Sequence, residues 1–564
     1  QLAAISAAAM SLRQKASKLE KMASKQDIEK PKQWQNWQQA NWEETALESV
    51  GNSSIKRWWM ATKRLMALGV LVSPLTVLVP LSYVSPKAQE MTWSYALWGI
   101  EQAGPTWIKL VQWATTRQDL FSPQFCQYFG KLRDNTVGHS WEETKRILQD
   151  EFIDDEDMAK LLERERNPFQ TSSSVQKRST MKSITATNDP QHRQPSSWEE
   201  FLKLDPEPIG SGCIAQVYQG RLLKPTPQYP VNTKVAVKVQ HPGIWHKVCV
   251  DFYILGKCAK FLEALPYLNL RMLSLSDTVR QFRDIMVPQL DLTLEAKHLS
   301  RFNADFSSDA SIGFPKPLDE LTTSQVLVET FIEGTPILEY VNSSQPERKQ
   351  LAQLGLKSTL KMIFLHDFVH GDLHPGNILI SGEYPNLKMN MLDCGLVLEM
   401  GPSQHVNLVK VMGAFTRRDG RLAGQLMIDL KAQERHHDFL MAGAGNNTML
   451  MGGSDENSVA YQQEQAQILQ RAEDDVQAFI HGIERICIMD EGQNFIEHVG
   501  DYITDICTLA CRHHVKLEAA FINAALAVEI MEGIAAALYP QLRVQQVALP
   551  LIVQAEFMHR LGLH

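Results

Sequence analysis

The feature that most constrains the fold is a lysine in the middle of an apolar strand. The segment "KVAVKVQHPG", residues 234–243, alternates as a β-strand does and carries Lys238 within it. A lysine inside an apolar strand is costly unless its charge meets an anion, so we expect Lys238 to contact phosphate groups and a carboxylate partner. A surface lysine on an edge strand is otherwise the commoner case, and the other motifs must decide between the two.

A glycine-rich turn precedes this strand in "PIGSGCIAQVYQGRL". Its spacing is G-x-G-x-x-A-x-V, filled by Gly210, Gly212, Ala215 and Val217, with Ser211 between the glycines. Small residues let the backbone of the hairpin approach phosphate groups closely, because a Cβ would intrude. Taken alone the turn is a weak indication, since glycine-rich turns are common.

A third motif follows in "FVHGDLHPGNILI", residues 368–380, where Asp372 and Asn377 have the spacing D-x-x-x-x-N. In a kinase catalytic loop the aspartate takes or orients the acceptor proton and the asparagine holds a metal ion. The segment "NMLDCGLV" then places Asp393 in a D-x-G turn after an apolar strand, where it would bind magnesium. The order of the four motifs predicts a kinase-like site for ATP and Mg²⁺.

The carboxylate partner of Lys238 must come from a helix packed behind its strand. Glu263 in "FLEALPYL" and Glu295 in "VPQLDLTLEAKHLSRF" are both candidates, and spacing alone does not choose between them.

Two absences narrow the class of substrate. The usual His-Arg-Asp is His-Gly-Asp here, so Gly371 replaces the arginine that could bind a phosphorylated activation loop. No A-P-E follows Asp393, and "GLVLEMGPSQHVNLVKVMGAFTRR" passes quickly into an amphipathic helix. Because protein substrates usually dock on a long activation segment, these features disfavour a peptide substrate.

Composition excludes other classes of function. The 564 residues carry a net charge of −8 without a long Lys/Arg block, so we expect no nucleic-acid partner. Eight scattered cysteines do not form a dense disulfide framework and fit a reducing compartment. The group Cys507, Cys511, His513 and His514 could be read as a metal site, but small apolar residues on a packed helix are the favoured interpretation.

One long apolar run, "LMALGVLVSPLTVLVPLSYV" at residues 65–84, contains no charge. As a helix it would span about 30 Å, the thickness of the hydrocarbon core of a bilayer. The preceding "IKRWWMATKR" supplies four basic residues and two tryptophans, which are typical interface anchors. Pro74 and Pro80 predict a kinked helix or a shallow hairpin. We predict one transmembrane helix here, with a buried core helix as the alternative.

Composition shifts divide the chain into segments. Short β-like runs concentrate before residue 335 and helical patterns after it, which predicts a two-lobed α+β enzyme. The predicted segments are a basic, partly disordered N-terminal region (1–63), the membrane segment (64–87), a helical extension (88–166), a disordered linker (167–198), an N-lobe (199–335) and a helical C-lobe (336–564) with a disordered insertion near 432–462.

The motifs together resemble one family. The ordered segments "GPTWIKLVQWATTRQDLFS", "IAQVY", "VAVKVQHPG", "LDLTLEA", "HGDLHPGN" and "LDCG" are similar to those of the UbiB-type atypical kinases, also called aarF-domain-containing kinases. The resemblance runs from about residue 64 to "IMEGIAAALYPQL" near the C-terminus. It implies a protein-kinase-like two-lobed fold with an N-terminal helical extension that packs over the active site. It also implies a link to ubiquinone or other prenyl-lipid metabolism at membranes.

The resemblance assigns further residues. It makes Glu295 the ion-pair partner of Lys238, and it places Glu329 to Phe331 at the hinge that contacts adenine. Lys109 and Gln112 match the family's K-x-G-Q motif on the extension that covers the nucleotide pocket.

Three departures from the family pattern stand out. Val111 replaces the glycine of K-x-G-Q, Gln289 replaces an acidic residue before Glu295, and Gly210-Ser211-Gly212 replaces an alanine-rich loop. The predicted metal and phosphate ligands are all present, so we predict an active nucleotide-binding protein.

These observations predict a membrane-associated kinase or ATPase that uses ATP and Mg²⁺ in prenyl-quinone or mitochondrial lipid metabolism. Its expected partners are a membrane lipid or prenyl-quinone intermediate and lipid-biosynthesis enzymes. The expected location is the mitochondrial inner membrane, which the chain would cross once, or alternatively a plastid membrane. Residues 1–30 resemble a transit peptide only in part, because Glu20, Asp27 and Glu29 lie among the basic residues. Two other functions stay open: a non-catalytic module that binds nucleotide and lipid, and, less favoured, a protein kinase.

Overall fold

The computed structural model describes residues 54–116, 123–129, 138–154, 197–264, 275–429, 459–489 and 499–561. The predicted disordered linker lies outside these residues except for its last two, which begin a short 3₁₀ helix at Trp198–Glu200. Most of the predicted insertion near 432–462, and the first 53 residues, also lie outside them.

The described part of the extension contains six α-helices. These are α1 (Ser54–Val72), α2 (Leu75–Ser82), α3 (Pro86–Ala103), α4 (Pro105–Thr116), α5 (Pro123–Phe129) and α6 (Trp141–Gln149). The apolar run breaks between α1 and α2 at Ser73 and Pro74, while Pro80 stays inside α2. A proline cannot donate the backbone hydrogen bond that would continue α1, so a kink at Pro74 is the expected outcome. At α6, Ser140 and Glu143 form a reciprocal capping box that fixes the start of the helix.

The small lobe is built on an antiparallel four-stranded sheet in the order β1-β2-β3-β5. Its strands are β1 (Leu202–Ser211), β2 (Ala215–Leu222), β3 (Lys234–Gln240) and β5 (Val326–Thr330), and its helices are α7 (Ile244–Ala264), α8 (Leu275–Met286) and α9 (Leu292–Asp305). The inner face of the sheet packs on Leu148 and Phe152 of the extension, and both side chains are fully buried.

The large lobe is mainly helical and carries two small sheets near the small lobe. The strands β4 (Ile312–Gly313), β6 (Thr335–Pro336), β8 (Ile378–Ser381) and β9 (Lys388–Met391) form one sheet in the order β4-β9-β8-β6, and β7 (Phe368–His370) pairs with β10 (Val397–Glu399). The helices are α10 (Gln345–Phe364), α11 (Pro402–Thr416), α12 (Gly420–Leu426), α13 (Val459–Met489), α14 (Val499–Arg512), α15 (Ala519–Leu538) and α16 (Val544–Arg560).

The largest hydrophobic core joins α9, α10, α11, α15 and α16 around Leu356, Met389 and Met531. A second core forms where α1 and α4 pack on α7 and α8, with Leu68 and Phe252 buried there. The fold is therefore the mixed, kinase-like two-lobed architecture predicted above, with the helical extension packed directly on the small lobe.

Candidate active site

Lys238 lies at the centre of the small-lobe sheet, on β3, between Val217 of β2 and Leu327 of β5. Its Nζ donates to Glu295 Oε1 and Oε2 at 3.0 and 2.9 Å, and to Asp393 Oδ1 at 2.9 Å. The Lys238 side chain is 16% exposed and that of Glu295 5%, whereas Asp393 is 49% exposed. The structure thus brings together one buried cation, one buried carboxylate and one carboxylate that faces the cleft.

The first turn of α9 positions Glu295. Asp291 caps this helix, because its side chain accepts from the Thr293 N–H at 3.0 Å. The other candidate, Glu263, lies at the end of α7 and accepts from Ser276 N and Oγ at 2.8 and 2.6 Å, at the start of α8. Glu263 is therefore committed to a helix terminus, and Glu295 is the carboxylate that pairs with Lys238.

Charge in this group is shared between the lysine and two carboxylates. Burial opposes the charge of Lys238, but Asp393 and Glu295 outweigh it and raise the pKa of the ammonium above its ordinary value. At Asp393 enclosure also opposes ionisation, yet the charge and hydrogen bond of Lys238 hold the pKa of this carboxyl below its usual range. At Glu295 burial prevails and raises the pKa, although Lys238 opposes the rise. Asp393 is thus the carboxylate held in its ionised form and open to the cleft.

Asp393 occupies a left-handed backbone position, with φ 50°, in the turn after β9. An aspartate adopts this conformation more readily than most residues, but at some cost. The glycine of the D-x-G turn has a steric reason, because a Cβ at Gly395 would lie 3.3 Å from Asp393 Oδ1 and 3.5 Å from Glu295 Oε2. Gly395 therefore leaves room for the two carboxylates that contact Lys238.

The catalytic loop is held by a buried histidine. His370 Nδ1 accepts from the Asp372 N–H at 3.2 Å, and its Nε2–H donates to the Leu392 carbonyl at 2.9 Å. These two contacts require the neutral tautomer protonated on Nε2, and burial lowers the pKa of His370 accordingly. Asn377 Nδ2 donates to the Asp372 carbonyl at 3.1 Å, which closes the loop. Asp372 and Asn377 are thereby fixed on the same side of the cleft as Asp393.

The glycine that replaces arginine in His-Gly-Asp is required by packing. A Cβ at Gly371 would lie 2.8 Å from Leu396 Cγ and 3.3 Å from the Leu396 carbonyl oxygen, which already accepts from the Gly371 N–H at 2.9 Å. An arginine at this position would have to displace Leu396. The close contact with Leu396 therefore explains why glycine stands here.

The extension places a lysine at the catalytic loop. Lys109 Nζ, on α4, lies 3.6 Å from Asp372 Oδ2, and its side chain is 15% exposed. Gln112, one turn later, is half-buried. Val111 faces away from the cleft and packs with Ile108 in the hydrophobic cluster inside the extension. The valine that departs from K-x-G-Q therefore does not lie between the extension and the active site.

The other two departures are also placed. Gln289 Nε2 donates to the Ile285 carbonyl at 3.1 Å. At the glycine-rich turn the Gly212 N–H donates to the Ala215 carbonyl at 2.8 Å, and Gly210 has open space where a Cβ would be. The Ser211 hydroxyl oxygen is buried and has no hydrogen-bond partner among the described residues. A buried hydroxyl without a partner is costly and is suited to bind a phosphate oxygen.

The predicted hinge lies at the end of β5. Glu329 pairs with Ala236 across the sheet, and the Phe331 N–H donates to the Lys234 carbonyl at 3.1 Å. Burial, with repulsion from Glu295, raises the pKa of Glu329 to about 8. Both residues lie where the chain passes from the small lobe to the large one.

Sequence reasoning missed a histidine pair that joins the extension to the glycine-rich turn. His139 Nδ1 lies 2.8 Å from His241 Nδ1, and His241 Nε2 lies 2.8 Å from the Gly212 carbonyl oxygen. His139 Nε2 contacts Thr144 Oγ1 at 2.9 Å, and Thr144 contacts the Tyr218 hydroxyl at 2.6 Å. The only signal was His241 directly after the Lys238 strand, and nothing in the sequence indicates its partner.

With both imidazoles neutral, one assignment of protons satisfies this chain of contacts. The Gly212 carbonyl can only accept, so His241 is protonated on Nε2 and its Nδ1 accepts from His139 Nδ1–H. The Thr144 hydroxyl then donates to His139 Nε2. Burial lowers the pKa of His139 to about 4, with repulsion from His241 adding to the effect, and burial also lowers the pKa of His241.

Comparison with known proteins finds a kinase-like family domain within the chain. Residues 174–427 match the family described as "ABC1 atypical kinase-like domain". A Dictyostelium discoideum protein named "Probable serine/threonine-protein kinase abkC" is 26% identical over 527 residues, covering 87% of this chain and 69% of the relative. A Schizosaccharomyces pombe protein named "ABC1 family protein C21C3.03, mitochondrial" is 24% identical, covering 91% and 75%.

A bacterial relative aligns over a shorter stretch. A Vibrio cholerae protein named "Probable protein kinase UbiB" is 25% identical and covers 58% of this chain and 52% of its own length. Among solved structures, "The complex structure of Rv3197-erythromycin from Mycobacterium tuberculosis" covers 43% of this chain and 61% of that one, with a TM-score of 0.32 and 20% identity. The ABC1 kinase-like match over residues 174–427 and the names of these relatives are consistent with a UbiB-type atypical kinase.

Proposed function

We propose that the chain is an active, membrane-associated kinase or ATPase that uses Mg-ATP. The observation that carries the proposal is Lys238, which contacts both a buried carboxylate and a cleft-facing carboxylate. A lysine in this position of a kinase site binds the phosphates of a nucleotide. When a phosphate takes the place of Asp393 beside Lys238, the Asp393 carboxylate would be available to a divalent cation.

The residues present fit Mg-ATP. Asp393 and Asn377 offer hard oxygen ligands, which magnesium prefers, and the Ser211 hydroxyl, which has no partner among the described residues, adds a donor at the glycine-rich turn. Bound magnesium would neutralise charge on the phosphates. Lys238 would hold the phosphates, Glu295 would orient Lys238, and Asp372 would accept the proton of the attacking hydroxyl or water.

The membrane part of the proposal rests on α1 and α2. Residues Trp58–Ser82 are long and apolar enough to cross a membrane by length and composition, and 6% of this segment is buried. A second apolar helix, Ala520–Leu538, is 56% buried and packs on α10 in the core of the large lobe. Relatives in two yeasts are named as mitochondrial. We therefore propose a mitochondrial membrane as the location, and a prenyl-quinone intermediate or another membrane lipid as the acceptor.

A second function has its own supporting observation. Lys109 lies 3.6 Å from Asp372, so the residue proposed as the base is neutralised by a cation from the extension. A protein that only binds nucleotide and lipid, and organises lipid-pathway enzymes, could keep this contact throughout its cycle.

ATP hydrolysis by the full chain with phospholipid vesicles tests the first proposal. Asp393→Asn should abolish magnesium-dependent turnover, while the control Asp277→Asn, on the exposed face of α8, should leave it unchanged. Turnover at the wild-type rate in Asp393→Asn would contradict the assignment.

Asp372→Asn separates the two functions. If the chain is a kinase or ATPase, this variant binds nucleotide but loses turnover and does not restore function in cells that lack the protein. Full restoration by Asp372→Asn would favour the binding function.

A further inference from the structure

Helix α1 has two distinct faces. The inner face, Ala61, Arg64, Leu68 and Leu71, packs on the small lobe and on α3, and Ala61 and Leu68 are buried. The outer face carries large apolar side chains in solvent, among them Trp58, Trp59, Met66 and Val70, with Val70 74% exposed. Because the two sets alternate with the helical period, one side of α1 is occupied by protein along its length, and no described residue covers the other side.

A buried ion pair ties the inner face to the kinase domain. Arg64 Nε lies 2.7 Å from Asp251 Oδ1 and its Nη2 lies 2.9 Å from Asp251 Oδ2, a bidentate contact to α7. The Asp251 side chain is 0% exposed. Arg64 also donates to the Ala103 carbonyl, at the end of α3. Removal of Arg64 from this place would leave a buried carboxylate without its partner, which is strongly unfavourable.

Helix α3 folds back along α1 and α2. The Tyr95 hydroxyl donates to the Leu71 carbonyl at 2.9 Å, and Thr92 Oγ1 lies 3.0 Å from the Leu78 carbonyl. With the contact from Arg64 to Ala103, these pairs are separated by 39, 24 and 14 residues, as in an antiparallel hairpin. The hairpin turns at Tyr83 and Val84, which are 87% and 81% exposed.

A single pass is incompatible with these contacts, and a double pass is incompatible with the polar surface of α3. A single pass by residues 65–84 would put Arg64 and the kinase domain on opposite sides, about 30 Å apart, and break the pair with Asp251. A double pass that kept the hairpin would carry α3 into the hydrocarbon, although its outer surface includes exposed Glu90 and Ser94. A helix that lies in the plane of the interface keeps every contact, because only its outer face enters lipid.

We propose that α1 and α2 lie in the plane of a phospholipid bilayer and enter one leaflet, so that the chain does not cross the membrane at residues 65–84. The proposal rests on the membrane association proposed above and defines its geometry. The exposed Trp58 and Trp59, with Lys63 Nζ 5.4 Å from the Trp59 ring, suit the headgroup level, where amphipathic rings and basic residues anchor helices. The partner of this surface is therefore the interface of a phospholipid leaflet.

The position of three side chains relative to the membrane tests the proposal. Lys63→Cys and Lys87→Cys place reporters before and after the apolar run, and exposed Cys258 on α7 reports on the kinase domain. Sealed membrane vesicles from cells that produce the full chain are treated with a membrane-impermeant maleimide, and labelling is resolved by peptide mass spectrometry. Detergent gives the total for each cysteine.

Each geometry predicts a different result. The in-plane helix predicts that both reporters are labelled to the same fraction as Cys258. A single pass predicts that the reporter at 63 is protected in vesicles in which Cys258 is labelled. A double pass predicts that the reporter at 87 is protected in those vesicles. Either of these two patterns overturns the proposal.

Flotation with vesicles of phosphatidylcholine and phosphatidylglycerol separates this proposal from the membrane association on which it rests. Val70→Glu should weaken partition of the full chain about tenfold or more, because a valine is lost from the lipid and a charge is added. The matched control Val231→Glu, an exposed valine in the turn before β3, should float like the wild type. If the wild-type chain itself does not float, membrane association fails; if it floats but the reporters disagree, only the in-plane geometry fails.

Discussion

The contact between His139 and His241 predicts that the extension loosens from the glycine-rich turn as the pH falls. With both rings neutral, a further proton would go either to His241 Nδ1, where it would oppose the one that His139 donates across 2.8 Å, or to His139 Nε2, which accepts from Thr144. Burial lowers the pKa of His139 from 6.5 to about 4, with a smaller effect of His241 in the same direction and of Glu143 against it. Besides burial, the charges that act on His241 are Lys247 of α7, which lowers its pKa, and Glu143 of α6 in the extension, which raises it.

The sign and size of the effect follow from proton linkage. The unfolded chain takes up a proton near pH 6.5 and the folded chain near pH 4, so the unfolded state binds more protons between these values. Stability of this contact is therefore complete above pH 6.5 and falls as the pH drops toward 4. Lowering the pKa of His139 from 6.5 to about 4 corresponds to an upper limit of about 3.4 kcal/mol. At roughly pH 5.5 only about 1.4 kcal/mol of this limit is lost. Because His139 is only half-buried, solvent screening reduces the loss to about 1 kcal/mol.

Hydrogen exchange of the full chain measures this loss locally. Amides of α6 should lose about fivefold in protection between about pH 7.5 and about pH 5.5, after correction for the intrinsic exchange rate. His139→Asn should show low protection at both values, since it removes the titrating ring, whereas the control His246→Asn, on the exposed side of α7, should behave like the wild type. Equal protection of α6 in the wild type at the two pH values would refute the reasoning.

Three further predictions concern single side chains. Glu295→Gln removes the buried charge that orients Lys238, so ATP turnover should fall at least about tenfold while the circular dichroism spectrum stays unchanged. Turnover at the wild-type rate would contradict the role given to this ion pair. Lys109→Met removes the cation beside Asp372 and should raise turnover about twofold to tenfold in steady-state assays, so a decrease would argue that Lys109 itself contributes to catalysis. The Asp309 carboxylate accepts from Lys361 at 2.6 Å; burial opposes its ionisation, but the hydrogen bonds from Lys361 and Ser311 lower its pKa to about 2. Asp309→Asn should therefore lower the free energy of unfolding in urea by about 1–2 kcal/mol near pH 7, and remove the part of the acid-induced loss of stability that falls between pH 3.8 and 2. An unchanged dependence of stability on acid pH would contradict this role.

Local chemistry was predictable where the residues of a motif are close in the chain. The spacing of Asp372 and Asn377 fixes a loop, and one hydrogen bond from Asn377 to the Asp372 carbonyl closes it. The alternation around Lys238 fixes a buried strand, and a buried lysine requires an anion whatever the rest of the fold does. The position of the proline predicted where the apolar helix breaks, since Pro74 cannot continue the hydrogen bonding of α1.

Other features depend on residues that only the fold brings together. Glu263 and Glu295 were equivalent by spacing, and the structure separates them because α8 begins beside Glu263 while α9 begins beside Lys238. The histidine contact joins residues 102 apart in the chain, and the pair of Arg64 with Asp251 joins residues 187 apart. No local pattern encodes such a distance.

The sequence by itself determined which chemistry this protein can carry: a buried lysine, a glycine-rich turn, two aspartates and an asparagine in the order of a kinase site, and an apolar run of membrane length. Tertiary structure decided how these parts are used. Packing selected Glu295 as the partner of Lys238, set Lys109 against Asp372, and bound one face of α1 to the kinase domain. The physical reason is that hydrophobic periodicity specifies which face of an element is buried, whereas the partner of that face, and the charge that meets each buried charge, depend on how distant elements pack.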